Sequence, residues 1–65
     1  MKIVYDPEVD ILRIFFSTAD VEESDEDKPG VIIDYDKDGN IVGMEVLEAS
    51  KRVDKPRSVE YAVTA

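Results

Sequence analysis

Short apolar runs alternate with dense polar punctuation along this chain, and within the runs the apolar positions mostly recur every second residue. Lys2-Ile3-Val4-Tyr5 gathers β-branched and aromatic residues and predicts a strand. Asp6-Pro7-Glu8-Val9 predicts a turn, because Pro7 presets φ at the second turn position and the Asp6 carboxylate can accept a bond from the following backbone. Asp10 to Phe16 predicts a second strand, with Leu12, Ile14 and Phe16 on one face and Ile11, Arg13 and Phe15 on the other. Together they make an antiparallel hairpin.

Asp20 to Asp27 carries six acids in eight residues, with Val21 the only apolar member. Little of it can be buried, so a solvated loop or a weak edge strand is expected. Lys28-Pro29-Gly30 is a firm stop, since Pro removes a donor and Gly admits positive φ. Val31 to Tyr35 and Ile41 to Leu47 then predict the central hairpin. Its turn, Asp36-Lys37-Asp38-Gly39, fits a type I turn closed by a glycine in the left-handed region. Pairing Asp36 with Asn40 sets an expected register of Tyr35 with Ile41, Asp34 with Val42, Ile33 with Gly43, Ile32 with Met44 and Val31 with Glu45. Ile32, Asp34, Asp36, Val42, Met44 and Val46 then share one face, and Asp34 and Glu45 point to opposite faces.

Glu48 to Val53 allows one or two helical turns, with Lys51 and Arg52 suited to a helix C-terminus and Pro56 ending it by Asp54 or Lys55. Val59, Tyr61 and Val63 alternate with Glu60, Ala62 and Thr64, which predicts a last strand paired within the chain or with a neighbour. The expected fold is α+β but mostly β. It is an antiparallel β-meander of five to six strands, with one short helix after the central hairpin.

Sixty-five residues make a single small domain, residues 1–65, whose core is marginal alone. The chain has no cysteine, so disulfides cannot supply the missing stability, and association is the economical alternative. Both faces of the central hairpin are largely apolar, and the short helix cannot cover a whole second face. Ile32, Val42, Met44, Val46 and Tyr61 are therefore the interface candidates of an expected homodimer. Charge is uneven: residues 1–48 hold fourteen acids and four bases, residues 49–65 two acids and four bases, giving a net −8. Such a body disfavours nucleic acid and anionic lipid, and it suits a basic protein partner. No leader-like start and no apolar run of membrane length is present, so a cytoplasmic protein is expected.

Candidate chemistry is sparse. Asp34, Asp36, Asp38, Gly39 and Glu45 match the spacing of a twelve-residue calcium loop, yet the flanks read as strands where that loop needs helices. The surviving alternative is weak calcium binding at the Asp36–Gly39 turn, through Asp36 and Asp38 with backbone carbonyls. Histidine and cysteine are absent, which removes histidine-assisted serine or cysteine nucleophiles and the usual zinc ligands. Asp6 and Asp10 could as a carboxylate pair do acid–base work, but both flank a turn, and turn or cap bonding is expected instead. No cofactor and no catalysis are expected.

Tyr5-Asp6-Pro7-Glu8-x-Asp10-x-Leu12-x-Ile14, followed by Gly30-Val31-x-x-Asp34-Tyr35-Asp36-x-x-Gly39-x-Ile41-Val42-Gly43-x-Glu45-x-Leu47-x-Ala49-Ser50, resembles the prokaryotic "domain of unknown function 2283" family. The resemblance covers about residues 1–53; residues 54–65 form a strand or tail outside it. It implies a stand-alone small protein of bacteria or archaea with no established activity, so no catalytic residue carries over. Some members resemble, in size and setting, small partners encoded beside toxin-like proteins. That implies an antitoxin-like or accessory role.

Overall fold

Both expected hairpins form, and they join side by side. In the computed structural model, which describes residues 1–65, β1 (Lys2–Asp6) pairs antiparallel with β2 (Ile11–Phe15), and β4 (Val31–Tyr35) with β5 (Ile41–Leu47). The acidic segment becomes β3 (Glu23–Lys28), exposed along its whole length and paired with β4 at one edge of the sheet. The strand order is β1-β2-β5-β4-β3, all antiparallel. Residues between Phe15 and Glu23 therefore cross from the first hairpin to the far edge, and the chain works back until β5 meets β2. Dense charge on β3 blunts that edge against stray pairing.

The expected turns are present. Glu8 N–H donates to Asp6 Oδ1 at 3.0 Å. Gly39 sits at φ 82°, its N–H donating to the Asp36 carbonyl at 3.1 Å, while Asp36 N–H donates to the Asn40 carbonyl at 2.9 Å. Only glycine, or at a cost Asn and Asp, enters that region readily.

Beyond the turn the expected register fails by one residue. Tyr35 pairs with Ile41, but Asp34 pairs with Gly43, Ile33 with Met44, Ile32 with Glu45 and Val31 with Val46. Val42 is the extra residue of a β-bulge. Its carbonyl accepts from Phe16 and Ser17 N–H at 2.7 and 3.2 Å, which draws β5 toward β2 at that point, and β4 pairs around it. A slip of one residue exchanges faces. Asp34 and Glu45 consequently lie on the same face, not on opposite ones, and Ile32 lies opposite Met44 and Val46 rather than beside them.

The corrected faces differ sharply. Across β1, β2, β5 and β4 one face carries Tyr5, Leu12, Val46 and Val31 in one row and Ile3, Ile14, Met44 and Ile33 in the next. No charged residue stands among them. The other face carries Val4, Arg13, Glu45 and Ile32 in one row and Lys2, Phe15, Gly43 and Asp34 in another.

Helix α1 (Ala49–Arg52) folds over one end of the uncharged face. Leu12, Val46 and Ala49 form the buried cluster, with Ile3, Tyr5, Met44 and Val53 packed around it. Only five of the 65 residues are buried, so the single chain encloses a very small core. The molecule measures 35 × 33 × 18 Å, a slab rather than a sphere.

The predicted last strand does not form. After Ser58 N–H closes a turn onto the Lys55 carbonyl, residues 59–65 adopt no regular structure, and Val59, Tyr61 and Val63 are 60, 74 and 78% exposed. Alternation gives a strand two faces but no partner, and residues 59–65 do not reach the open edge of β1.

Candidate functional site

The densest polar arrangement ties the β1–β2 turn to α1. Asp10 has φ 57° in the left-handed region, which turns its side chain and carbonyl toward the helix start. Its Oδ1 accepts from the Tyr5 hydroxyl at 2.7 Å and from Ser50 N–H at 2.9 Å, and its Oδ2 from the Ser50 hydroxyl at 2.6 Å. The Asp10 carbonyl also takes Ala49 N–H at 2.9 Å. Glu48, the residue before α1, supplies no side-chain cap. Asp10 caps the helix from forty residues away instead.

These donors favour the charged carboxylate. The Ser50 hydroxyl first, then the Tyr5 hydroxyl, hold Asp10 below the ordinary carboxylate range. Reciprocally, the bond to Asp10 raises the Tyr5 phenol. Arg57 lies 5.9 Å from the Tyr5 ring centroid and anchors the start of the tail there. At the other side of α1, Arg52 donates to the Pro29 carbonyl and packs against Gly30. The helix is thereby fastened to both hairpins.

The Asp-rich turn is occupied with its own backbone. Asp36 Oδ1 accepts from Asn40 and Asp38 N–H, both at 2.9 Å, and the Asn40 bond leads in lowering its carboxyl. Asp34 and Glu45 each reach a different neighbouring strand: Ser24 Oγ donates to Asp34 Oδ1 at 2.6 Å, and Arg13 Nε donates to Glu45 Oε1 at 3.1 Å. Asp6 accepts a turn amide, as expected for that position, and stands apart from the Asp10 network.

Of the interface candidates, Val42 and Val46 are inside the chain, 5 and 8% exposed. They are core residues. Met44 is half-buried against the core cluster, Ile32 is half-buried on the polar face, and Tyr61 lies on the irregular tail. The five do not form one surface. The exposed apolar surface is elsewhere, at the end of the sheet away from α1. There an open groove of about 520 Å³ is lined by Met1, Phe15, Phe16, Val21 and Val42 among others. The adjacent Phe15 and Phe16 are its signal in the sequence, because neighbours in a strand place an aromatic ring on each face.

No helix is long and apolar enough to cross a membrane. A family model described as "Protein of unknown function (DUF2283)" matches residues 2–50, which include Tyr5, Asp10 and Ser50 and end before Arg52 and the tail. No curated protein and no solved structure matches the chain.

Proposed function

The chain belongs to the DUF2283 family, and from its own geometry we propose that it is a non-catalytic interaction module that works as a homo-oligomer, with the dimer as its basic unit. One observation carries this reading. A folded monomer of 7.3 kDa is expected to expose about 4,200 Å²; this chain exposes 5129 Å². The excess of about 900 Å² is close to the ~800 Å² that each partner contributes to a standard protein interface. Exposed apolar side chains in the tail (Val59, Tyr61, Val63) and at the end of the sheet (Met1, Phe15, Phe16, Val21, Ile41) contribute to it, and the uncharged face has one helix of four residues over it.

The polar side chains support a structural rather than a chemical role. Asp10 is committed to capping α1, and Asp36 to its turn. The calcium alternative at Asp36 and Asp38 gains no support from a carboxylate already bonded to two turn amides. The acidic β3 edge would remain outward in a dimer, free to meet a basic protein partner, which is how an accessory role would be exercised.

Light scattering coupled to size exclusion, or native mass spectrometry, tests the reading at micromolar concentration. The expected mass is twice that of the chain. A folded species at the mass of one chain would overturn it.

A further inference from the structure

Resting on that reading, we infer that the dimer forms by stacking two uncharged sheet faces, with a two-fold axis that lies between the sheets and runs across the strands. The occupant of this face is a second copy.

Four helical residues span about 6 Å, little more than the ~4.8 Å between two neighbouring strands. Helix α1 therefore shields the row of Tyr5, Leu12 and Val46 and leaves Ile14 and Ile33 in the next row without a second layer. Apolar sheet faces are stably buried against another layer about 10 Å away. Val53 and Arg57 extend the cover at the α1 end, Val53 on the core cluster and Arg57 over the Tyr5 ring.

Charge selects the occupant. Every body carries a net −8, and the charged side chains on β1, β2, β4 and β5 stand on the polar face or at strand ends. A basic partner finds no complement among Ile3, Ile14, Met44 and Ile33. An identical apolar face matches them; the charges on this side, Glu23, Asp25 and Lys28, are confined to the edge strand β3.

Shape selects the symmetry. Helix α1 rises from one end of the face, so a two-fold along the strands would drive helix onto helix. A two-fold across the strands places the helices at opposite ends instead. Each α1, with Val53, then meets the far end of the partner sheet. There the groove at Met1, Phe16 and Val42 lies on β1, β2 and β5, the same strands that α1 overlies in its own chain. The rows of Ile3, Ile14, Met44 and Ile33 come to face each other across the axis. The groove thus receives the partner's helix.

The absence of cysteine makes single-cysteine cross-linking clean. Ile14→Cys, treated with a short bismaleimide, should convert most of the protein to covalent dimer, whereas Ile32→Cys on the opposite face should give only background. A mixture of Phe16→Cys and Val53→Cys chains should cross-link, while Phe16→Cys alone should not. Met44→Cys replaces Ile14→Cys if circular dichroism shows that variant unfolded. A native dimer that cross-links through Ile32→Cys, or through neither face, overturns the stacked arrangement and leaves self-association standing. Cross-linking of Phe16→Cys to itself overturns the symmetry. Monomeric mass overturns both.

Discussion

Replacing Gly43 by alanine should destabilise this protein severely, although no turn depends on that glycine. Gly43 is buried in the centre of the sheet, paired with Phe15 on β2 and Asp34 on β4. Its backbone is not among the positive-φ glycines, so conformational freedom is not the reason for it. The reason is space. A Cβ at Gly43 would lie 2.8 Å from the Ile14 carbonyl oxygen, and ordinary contact begins at 3.4 Å. Strands β2 and β5 would have to separate by about 0.6 Å, at the one seam that joins the two hairpins. Overpacking of this kind costs about 1–3 kcal/mol, against a total stability of about 3–10 kcal/mol for a chain this long. With a urea m-value near 1 kcal/mol per M, the midpoint should fall by about 1–3 M. The measurement is made at one fixed protein concentration, because the proposed association would contribute to apparent stability. Gly39 is the internal control, since at φ 82° it has nothing within 4 Å of a built Cβ. Gly39→Ala should lose only the left-handed penalty of about 1–2 kcal/mol, and Gly39→Asn should recover part of it. Gly43→Asn should instead be worse than Gly43→Ala. A Gly43→Ala midpoint within about 0.5 M of wild type, or a tolerated Gly43→Asn, would refute the steric argument.

Two further outcomes follow from the same geometry. Asp10 is held below the ordinary carboxylate range, so its bonds stabilise the fold fully above the unfolded carboxylate value near 3.9, and that stability is lost as pH falls through the lower folded value. Wild type should therefore melt higher than Asp10→Asn at neutral pH, with the gap narrowing below about pH 4; a gap that does not narrow as pH falls below about 4 would contradict the assignment. Truncation after Ser58 should leave the melting temperature of the rest within about 4 °C, since Val59, Tyr61 and Val63 are largely exposed and surface changes cost less than about 0.5 kcal/mol. A larger drop by calorimetry would show that the tail is covered in the working assembly.

The strands were legible because short-range chemistry decides them: Pro7, Pro29, Gly30 and Gly39 mark the turns, and alternation between them marks the faces. What alternation cannot carry is a bulge. The extra residue at Val42 is set by the Phe16 and Ser17 amides of another hairpin, a long-range term that no window on the central hairpin contains. One misplaced residue moved Ile32 to the other face, while Val46 became core because Leu12 and Ala49, both outside the hairpin, pack on it. The tail failed for the converse reason. Its alternation is local, but a strand needs an edge to pair with, and the pattern says nothing of whether one is reached. The Asp10 cap was hidden by distance along the chain, although Tyr5, Asp10 and Ser50 were all among the residues that carried the family resemblance.

The calcium-loop spacing can now be read position by position as sheet chemistry. Asp36 is an acceptor for turn amides, and Gly39 supplies positive φ. Asp34 and Glu45, expected on opposite faces, share one; yet each turns away from the other, Asp34 to Ser24 on β3 and Glu45 to Arg13 on β2. The bulge makes this possible. By placing Gly43 opposite Asp34, it brings both acids to the polar face, where one braces the acidic edge strand and the other crosses the seam between the hairpins. Were Val42 paired in regular register while β5 stayed on β2 as observed, Asp34 would share the uncharged face with Met44, beneath any second layer, where an unpaired carboxylate carries a large desolvation penalty. The bulge therefore keeps Asp34 off the face that the proposed stacking requires, and it is a condition for the proposed dimer as much as a feature of the hairpin.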